Sequence, residues 1–349
     1  MSSTSEIAQH YSAAVDNRPA GHRVSRWLLF SDYGPTAQFH MVVVWCCVLA
    51  CALANALWLP YSTLSFVPSN WPPLIQSASY VALVGILVAL AFHRLRGDAS
   101  RIGGMLRTAL VTTELLYRTA LPIVALLTAG ATLSYVITAA NLPLRDSLLA
   151  RADHSLGFDW LYFLDMTNYS PVVTVLLTRA YQTIGLVTQL VIFWLALTQN
   201  GERLTEFLAI LGLCTVGLCA AMLLVPAAGA FAYYEPAPQL FGNYSALGRM
   251  WTFGHTFNLL RDGSLSVIDL SALDGVVSFP SFHTVLGAIT IYAARDTRWL
   301  MGFVLVLNTA MIVATLPVGG HHLADVLAGA GLTFGAILLV RRQKRMSRR

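Results

Sequence analysis

Two short clusters hold residue types that can do chemistry. They are Pro280-Ser281-Phe282-His283 and, 38 positions beyond that histidine, Gly320-His321-His322-Leu323-Ala324-Asp325. His321 and Asp325 are four apart, the spacing that puts two side chains on one face of a starting helix. A carboxylate placed there can hold the far N–H of the imidazole and fix its tautomer. The other ring nitrogen is then offered as a nucleophile. Gly319 and Gly320 remove side chains where backbone must come close to a ligand. Pro280 suits the first turn of a helix, and the free N–H groups at such a start suit a bound phosphate. His283 beside that phosphate can act as general acid to a leaving oxygen. The chemistry indicated is phosphoryl transfer through histidine.

Each cluster heads a long apolar segment. The chain of 349 residues is 56% hydrophobic and 11% charged, with a mean hydropathy of +0.63, against roughly 25% charged residues in a soluble domain. Phe39–Leu59, Tyr80–Phe92, Leu121–Ala140, Val172–Leu197, Phe207–Ala232, Val285–Ala294, Leu300–Leu316 and Leu323–Val340 read as membrane spans or their cores, about 20 residues being needed to cross a bilayer. The expected fold is all-α, a polytopic integral membrane bundle of about eight helices. Thirty-eight residues suit a hairpin of two roughly 18-residue helices, which returns His283 and His321 to the same surface. Gly331-x-x-x-Gly335 is a spacing that favours close helix packing. The five cysteines all fall in predicted spans, where a thiol is a small apolar filler and no disulfide framework is expected.

Charge sets the orientation. Of the 22 basic residues, 17 fall on one side when the spans alternate from an inside N-terminus, a positive-inside bias that puts both termini in the cytoplasm. The polar first 37 residues hold no apolar stretch ahead of a cleavage site, so the first span is expected to act as the membrane address. Both histidine clusters then lie on the periplasmic or luminal face. Asp146, Asp153, Asp159, Asp165, Glu235, Asp262, Asp269 and Asp274 fall in two long outer segments. The first, Pro143–Ser170, has apolar residues three and four apart and reads as an amphipathic interfacial helix. The second, Tyr233–Val277, reads as a cap over the outer face. The polybasic tail Arg341–Arg349 is expected to touch anionic headgroups, and the charge of +5 does not indicate nucleic acid. Asn168-Tyr169-Ser170 and Asn243-Tyr244-Ser245 are outer sequons, usable only in a glycosylating host.

The motif residues resemble those of the type 2 phosphatidic acid phosphatase superfamily, a membrane fold with a six-helix core. Its pattern is Pro-Ser-Gly-His followed by His-x-x-x-Asp at the start of the last helix. The resemblance implies His321 as the nucleophile that becomes phosphohistidine, Asp325 as its orienter and His283 as general acid. It also implies Ser281 and Gly320 at the phosphate, with no metal or other cofactor. Phe282 in place of the usual Gly, with Arg261-Asp262-Gly263 and Val277-Ser278-Phe279 upstream, looks like the branch containing inositol phosphorylceramide synthases. The resemblance covers about Pro143–Val340. With it, the chain divides into a cytoplasmic arm (1–37), two accessory helices with a basic connection (38–117), a six-helix catalytic core (118–340) and a basic tail (341–349). The core includes the interfacial segment (143–170) and the outer cap (233–277). Two departures stand out. The Ser-Arg expected six residues before the nucleophile is Ala314-Thr315, and no Lys motif with Arg-Pro appears around Pro226–Pro238. Arg261 and Arg179 are the available phosphate-binding substitutes. His322, whose neighbour takes the motif position, is expected to be structural, and Ser281 to be either a phosphate contact or a helix cap.

The function expected is that of an integral-membrane lipid phosphatase or phosphotransferase acting on a lipid phosphate or phosphodiester. Water as acceptor makes it a phosphatase, and an alcohol makes it a head-group transferase of the inositol phosphorylceramide synthase type. Two alternatives belong to other classes. One is a zinc hydrolase using His283, His321 or His322, and Asp325 as ligands. The other is a transporter, which would place polar groups near the midplane rather than at one face.

Overall fold

The computed structural model describes residues 30–95, 100–247 and 253–346. The N-terminal arm with Arg18, Arg23 and Arg26, and also Arg96, Arg249 and the last three residues of the tail, lie outside the described residues.

All eight apolar segments fold mainly as helix, because a chain in lipid must satisfy its own backbone hydrogen bonds; Phe207–Ala232 leaves the helix after Leu224 and resumes at Ala230. The helices are α1 (Pro35–Trp58), α2 (Trp71–Arg94), α3 (Arg101–Ala139), α4 (Asp146–Ser155), α5 (Trp160–Asn168), α6 (Pro171–Gln182), α7 (Ile184–Leu197) and α8 (Gly201–Leu224). After these come α9 (Ala230–Tyr234), α10 (Gly242–Ser245), α11 (Phe253–Arg261), α12 (Phe282–Ala293), α13 (Arg298–Ala314) and α14 (Leu323–Met346). Four of them, in α1, α3, α8 and α14, are long and apolar enough to cross a membrane alone. The bent pair α6–α7 is together long and apolar enough to make a fifth, and α12 and α13 are shorter apolar helices. The protein is therefore an all-α integral membrane bundle. Leu53, Leu57, Ile86, Leu176, Leu186, Phe303, Phe334 and Leu339 are exposed along its flanks, as lipid-facing side chains must be.

Several local expectations change. Val172–Leu197 is not one straight helix but two, bent by 44° at Thr183, where the Thr183 hydroxyl donates to the Ala180 carbonyl at 2.7 Å and takes over the end of the helical ladder. The basic connection before the third span is itself helical from Arg101. Within it Arg118 is buried, 3.3 Å from Asp32 and stacked on Phe30. Pro143–Ser170 folds as two short helices, α4 and α5, rather than one interfacial helix. The face that α4 buries carries Asp146 and Asp153 beside Leu149 and Ala150.

The accessory helix α1 packs on α3 and α8, so the main core runs across it into α12 and α14. The only two strands among the described residues tie the α1–α2 connection to the cap: β1 (Ser65–Phe66) runs parallel to β2 (Val267–Ile268). Asn70 reinforces the tie, donating to Ile268 O at 2.7 Å and accepting from Leu270 N at 3.0 Å. Gly331 and Gly335, expected at a close helix contact, face open space. The tight approach is one half-turn earlier. A Cβ on Gly329 would lie 2.7 Å from Ser281 O, so α14 and the head of α12 touch backbone to backbone there. The two sequons face each other: Asn243 N–H donates to Asn168 Oδ1 at 2.9 Å and Asn243 Nδ2 to Asn168 O at 2.6 Å, which engages both amides.

Candidate active site

Helix α12 begins at Phe282, with Ser281 as its N-cap accepting from Thr284 N–H at 3.4 Å. Pro280 therefore precedes the cap instead of opening the helix, and its peptide bond with Phe279 is cis. Ser281 is fully buried and donates its own N–H to Asp325 O at 3.0 Å, which stitches the start of α12 to α14. His283 follows as the second residue of α12. Its ring stacks on Tyr181 with centroids 4.4 Å apart, and its Nδ1 lies 3.5 Å from Tyr181 Oη. Tyr181 is in place because α6 ends one residue later at the bend.

His321 lies two residues ahead of α14, not on it. It nonetheless reaches Asp325: Nδ1 is 3.2 Å from Asp325 Oδ2, and Asp325 is fully buried. With Nδ1 held by the carboxylate, Nε2 is the nitrogen left to react. Because no helical hydrogen bond holds His321, other contacts must place it. Its N–H donates to Thr315 O at 3.2 Å, and the preceding Gly320 accepts from Phe231 N–H at 3.3 Å. Gly320 has φ +65°, a left-handed conformation that glycine adopts without strain. A Cβ on Gly319 would sit 2.9 Å from the His321 ring and 3.2 Å from Tyr181. The two motif histidines face each other with ring centroids 6.5 Å apart.

The proposed arginines are placed elsewhere. Arg261 ends α11 and donates from Nη1 to Leu142 O at 2.9 Å, with its guanidinium 5.5 Å from the Phe257 ring. It lines a small cavity with Thr138, Met222, Ser278 and Phe279, next to the Pro280 segment but in contact with neither histidine. Arg179 is exposed on α6, and its described polar contact is Gln182 at 3.5 Å. The structure thus brings together His283, His321, Asp325, Ser281 and Gly320, and sets both arginines apart from them.

Three residues not assigned to the site from sequence complete its surroundings. Tyr181 is one. The others are Asp146 and Asp153, read from sequence as acids of the interfacial helix on the outer face. They are seven apart, which puts both on the face of α4 that carries Leu149 and Ala150, and that spacing was the available signal. Asp153 is fully buried and accepts from Leu323 N–H at 3.0 Å, Ala324 N–H at 2.8 Å and His322 Nδ1 at 3.2 Å. Asp146 accepts from the N–H groups of Ala228 and Gly229 and lies 3.6 Å from His322 Nε2. Burial alone would lower the His322 pKa. The close Asp146 carboxylate, the hydrogen bond to Asp153 and the charges of Asp325 and Asp153 outweigh it and push the imidazole up to about 9. Tyr233 and Tyr234 of α9 cover it, each ring 6.0 Å away. Among the described residues no three His, Cys, Asp or Glu side chains are grouped to hold a metal ion.

No curated protein and no solved structure matches the chain. A family model described as the PAP2 superfamily matches residues 147–339, from the first turn of α4 through most of α14. That stretch takes in both histidine helices, Tyr181 and the Asp153 that caps the last helix. With more than half of its length in that match, the chain belongs to the PAP2 superfamily.

Proposed function

We propose that this protein is a metal-independent lipid phosphatase or phosphotransferase that works through a phosphohistidine on His321. The observation that carries the reading is His321 Nδ1 held 3.2 Å from buried Asp325 with the His283 ring 6.5 Å away. Nε2 of neutral His321 attacks phosphorus, the N–P bond forms and the bond to the lipid oxygen breaks. His283, which burial and the neighbouring His321 hold neutral in the empty site, takes up a proton together with the anionic substrate and gives it to that oxygen. Now neutral, His283 takes a proton from the incoming acceptor, whose oxygen bonds to phosphorus as the N–P bond breaks. Asp325 stabilises the imidazolium character of His321 throughout. Ser281 and Gly320, at the two converging backbone turns, are the proposed phosphate contacts. Arg261 and Arg179 stay as candidates only if the cap or α6 moves on substrate binding.

The positive-inside pattern supports cytoplasmic termini and a site on the periplasmic or luminal face, with the lipid head under the cap and its tail between helices. A second reading is a head-group transferase of the inositol phosphorylceramide synthase type, with an alcohol in place of water. The cap tied down by β1–β2 and Asn70 favours it, since a held cap excludes water.

The test uses purified protein in detergent with excess EDTA and a panel of lipid phosphates and phosphodiesters. Release of phosphate or head group, with an acid-labile phosphoryl label on the protein, is expected, and His321→Ala should lose both. Loss of activity in EDTA with rescue by zinc would overturn the histidine mechanism. Added inositol or another alcohol separates transfer from hydrolysis by its product.

A further inference from the structure

His322 is not needed for the chemistry just described, yet it is fully buried beside three carboxylates. Its ring lies between two carboxylates of α4, Asp153 at 3.2 Å from Nδ1 and Asp146 at 3.6 Å from Nε2. Its backbone N–H donates to Asp325 Oδ2 at 2.9 Å, the same oxygen that holds His321 Nδ1. Asp325 Oδ1 has no hydrogen-bond partner, so Oδ2 alone carries both contacts and its direction is set by where the His322 backbone sits. Meanwhile Asp153 holds the next two N–H groups of the chain, and Asp146 holds the Ala228–Gly229 turn. Gly229 packs against the Gly320 carbonyl, which a Cβ there would meet at 2.8 Å.

Resting on the phosphohistidine reading, we propose that His322 is a positioning residue. Held between Asp146 and Asp153, it aims Asp325 at His321 and so sets the direction of the nucleophile. The need for it follows from the chain path. His321 precedes the helix and no helical ladder holds it, so the Asp325–His321 contact depends on how the His322 backbone is pinned. A side chain that carries a charge to two buried carboxylates pins it more firmly than a neutral cap would. The groups facing His322 are Asp146 and Asp153 from α4, Asp325 from α14, and Tyr233 and Tyr234 from α9. The imidazolium is retained up to about pH 9, so loss of its proton weakens the clamp on the alkaline side.

The experiment compares His322→Asn and Asp146→Asn with wild type on a lipid phosphate that wild type turns over and His321→Ala does not. Asn at 322 keeps a neutral donor toward Asp153 but loses the charge and the reach to Asp146. Asp146→Asn leaves the Asp153 cap of α14 intact and serves if the first variant fails to fold. Expected is a fall in kcat of roughly 10- to 100-fold, the usual cost of removing an orienting partner, with KM within about twofold. Wild type should show an alkaline decline in kcat near pH 9 that His322→Asn lacks. Folded variants with wild-type kcat, or with an unchanged alkaline limb, would overturn the proposal and leave the functional reading standing. A wild type without turnover of any lipid phosphate or phosphodiester would sink that reading, and this inference with it.

Discussion

Gly329→Ala separates what helix propensity says from what packing says. In an isolated helix alanine is better than glycine by about 1 kcal/mol, so sequence alone predicts a stabilised α14. In the folded protein the new Cβ would lie 2.7 Å from Ser281 O, 3.2 Å from Thr284 Cβ and 3.5 Å from Ser281 N. Ordinary contact for such atoms is about 3.5 Å, so α12 and α14 must separate by roughly 0.8 Å. Neither neighbour can yield as a flexible side chain would, because the nearest atoms are backbone. Overpacking of this kind costs about 1–3 kcal/mol, which the propensity gain offsets in part, leaving a net loss of about 0–2 kcal/mol. The functional effect is larger. Ser281 is two residues from His283, and α14 carries Asp325, so the displacement falls directly on the gap between the two histidines. A misplacement near 1 Å costs up to about 100-fold in rate, and a fall in kcat of roughly 10- to 100-fold is expected. The assay is phosphate release from a lipid phosphate in mixed micelles with EDTA, beside an unfolding midpoint in the same detergent. Gly331→Ala is the control: it meets nothing within 4 Å and should keep wild-type kcat while gaining several tenths of a kcal/mol. A Gly329→Ala protein that is both more stable and fully active would refute the packing reasoning.

Asp325→Asn keeps the size of the side chain but removes the charge that holds the His321 tautomer, and kcat should drop by about 10²- to 10⁴-fold; steady-state kinetics check it, and less than a tenfold loss would count against the orienting role. Tyr181→Ala removes the ring stacked 4.4 Å from His283, an aromatic contact worth about 0.5–1.5 kcal/mol. It should lower kcat by about 3- to 10-fold, with Tyr181→Phe close to wild type. Stability should also depend on pH through His322. Its pKa is raised from 6.5 to about 9 in the folded protein, so its contribution is full below about pH 6.5 and is lost as pH rises through about 9. The difference corresponds to roughly 3 kcal/mol. Thermal unfolding in detergent from pH 6 to 10 should show that decline in wild type and not in His322→Asn.

Much of this molecule was legible in its sequence because much of it is local. Each apolar segment had to become helix, since a backbone in lipid has no other partner for its N–H and C=O groups, and all eight did over most of their length. His321 and Asp325 lie four residues apart, a distance the chain can close wherever it goes, and 38 residues are the right length to bring His283 back beside them. The family's motif is carried by the same local residues. What sequence could not settle depends on the rotation of each helix about its own axis and on the partner it meets. That rotation turns Asp146 and Asp153 of α4 inward onto His322, though both read as acids of an interfacial helix. It sends the Arg261 guanidinium to the Leu142 carbonyl and leaves Arg179 exposed on α6. It makes Gly329 the contact point and leaves Gly331 and Gly335 facing open space. The bend at Thr183 arises where a hydroxyl replaces a ladder bond, and it puts Tyr181 against His283. Sequence by itself determined the helices and the pairing of His321 with its carboxylate, because those follow from spacing along one chain. Only the tertiary structure decided what holds them in register, because that follows from contacts between residues up to 180 positions apart, such as Asp146 with His322.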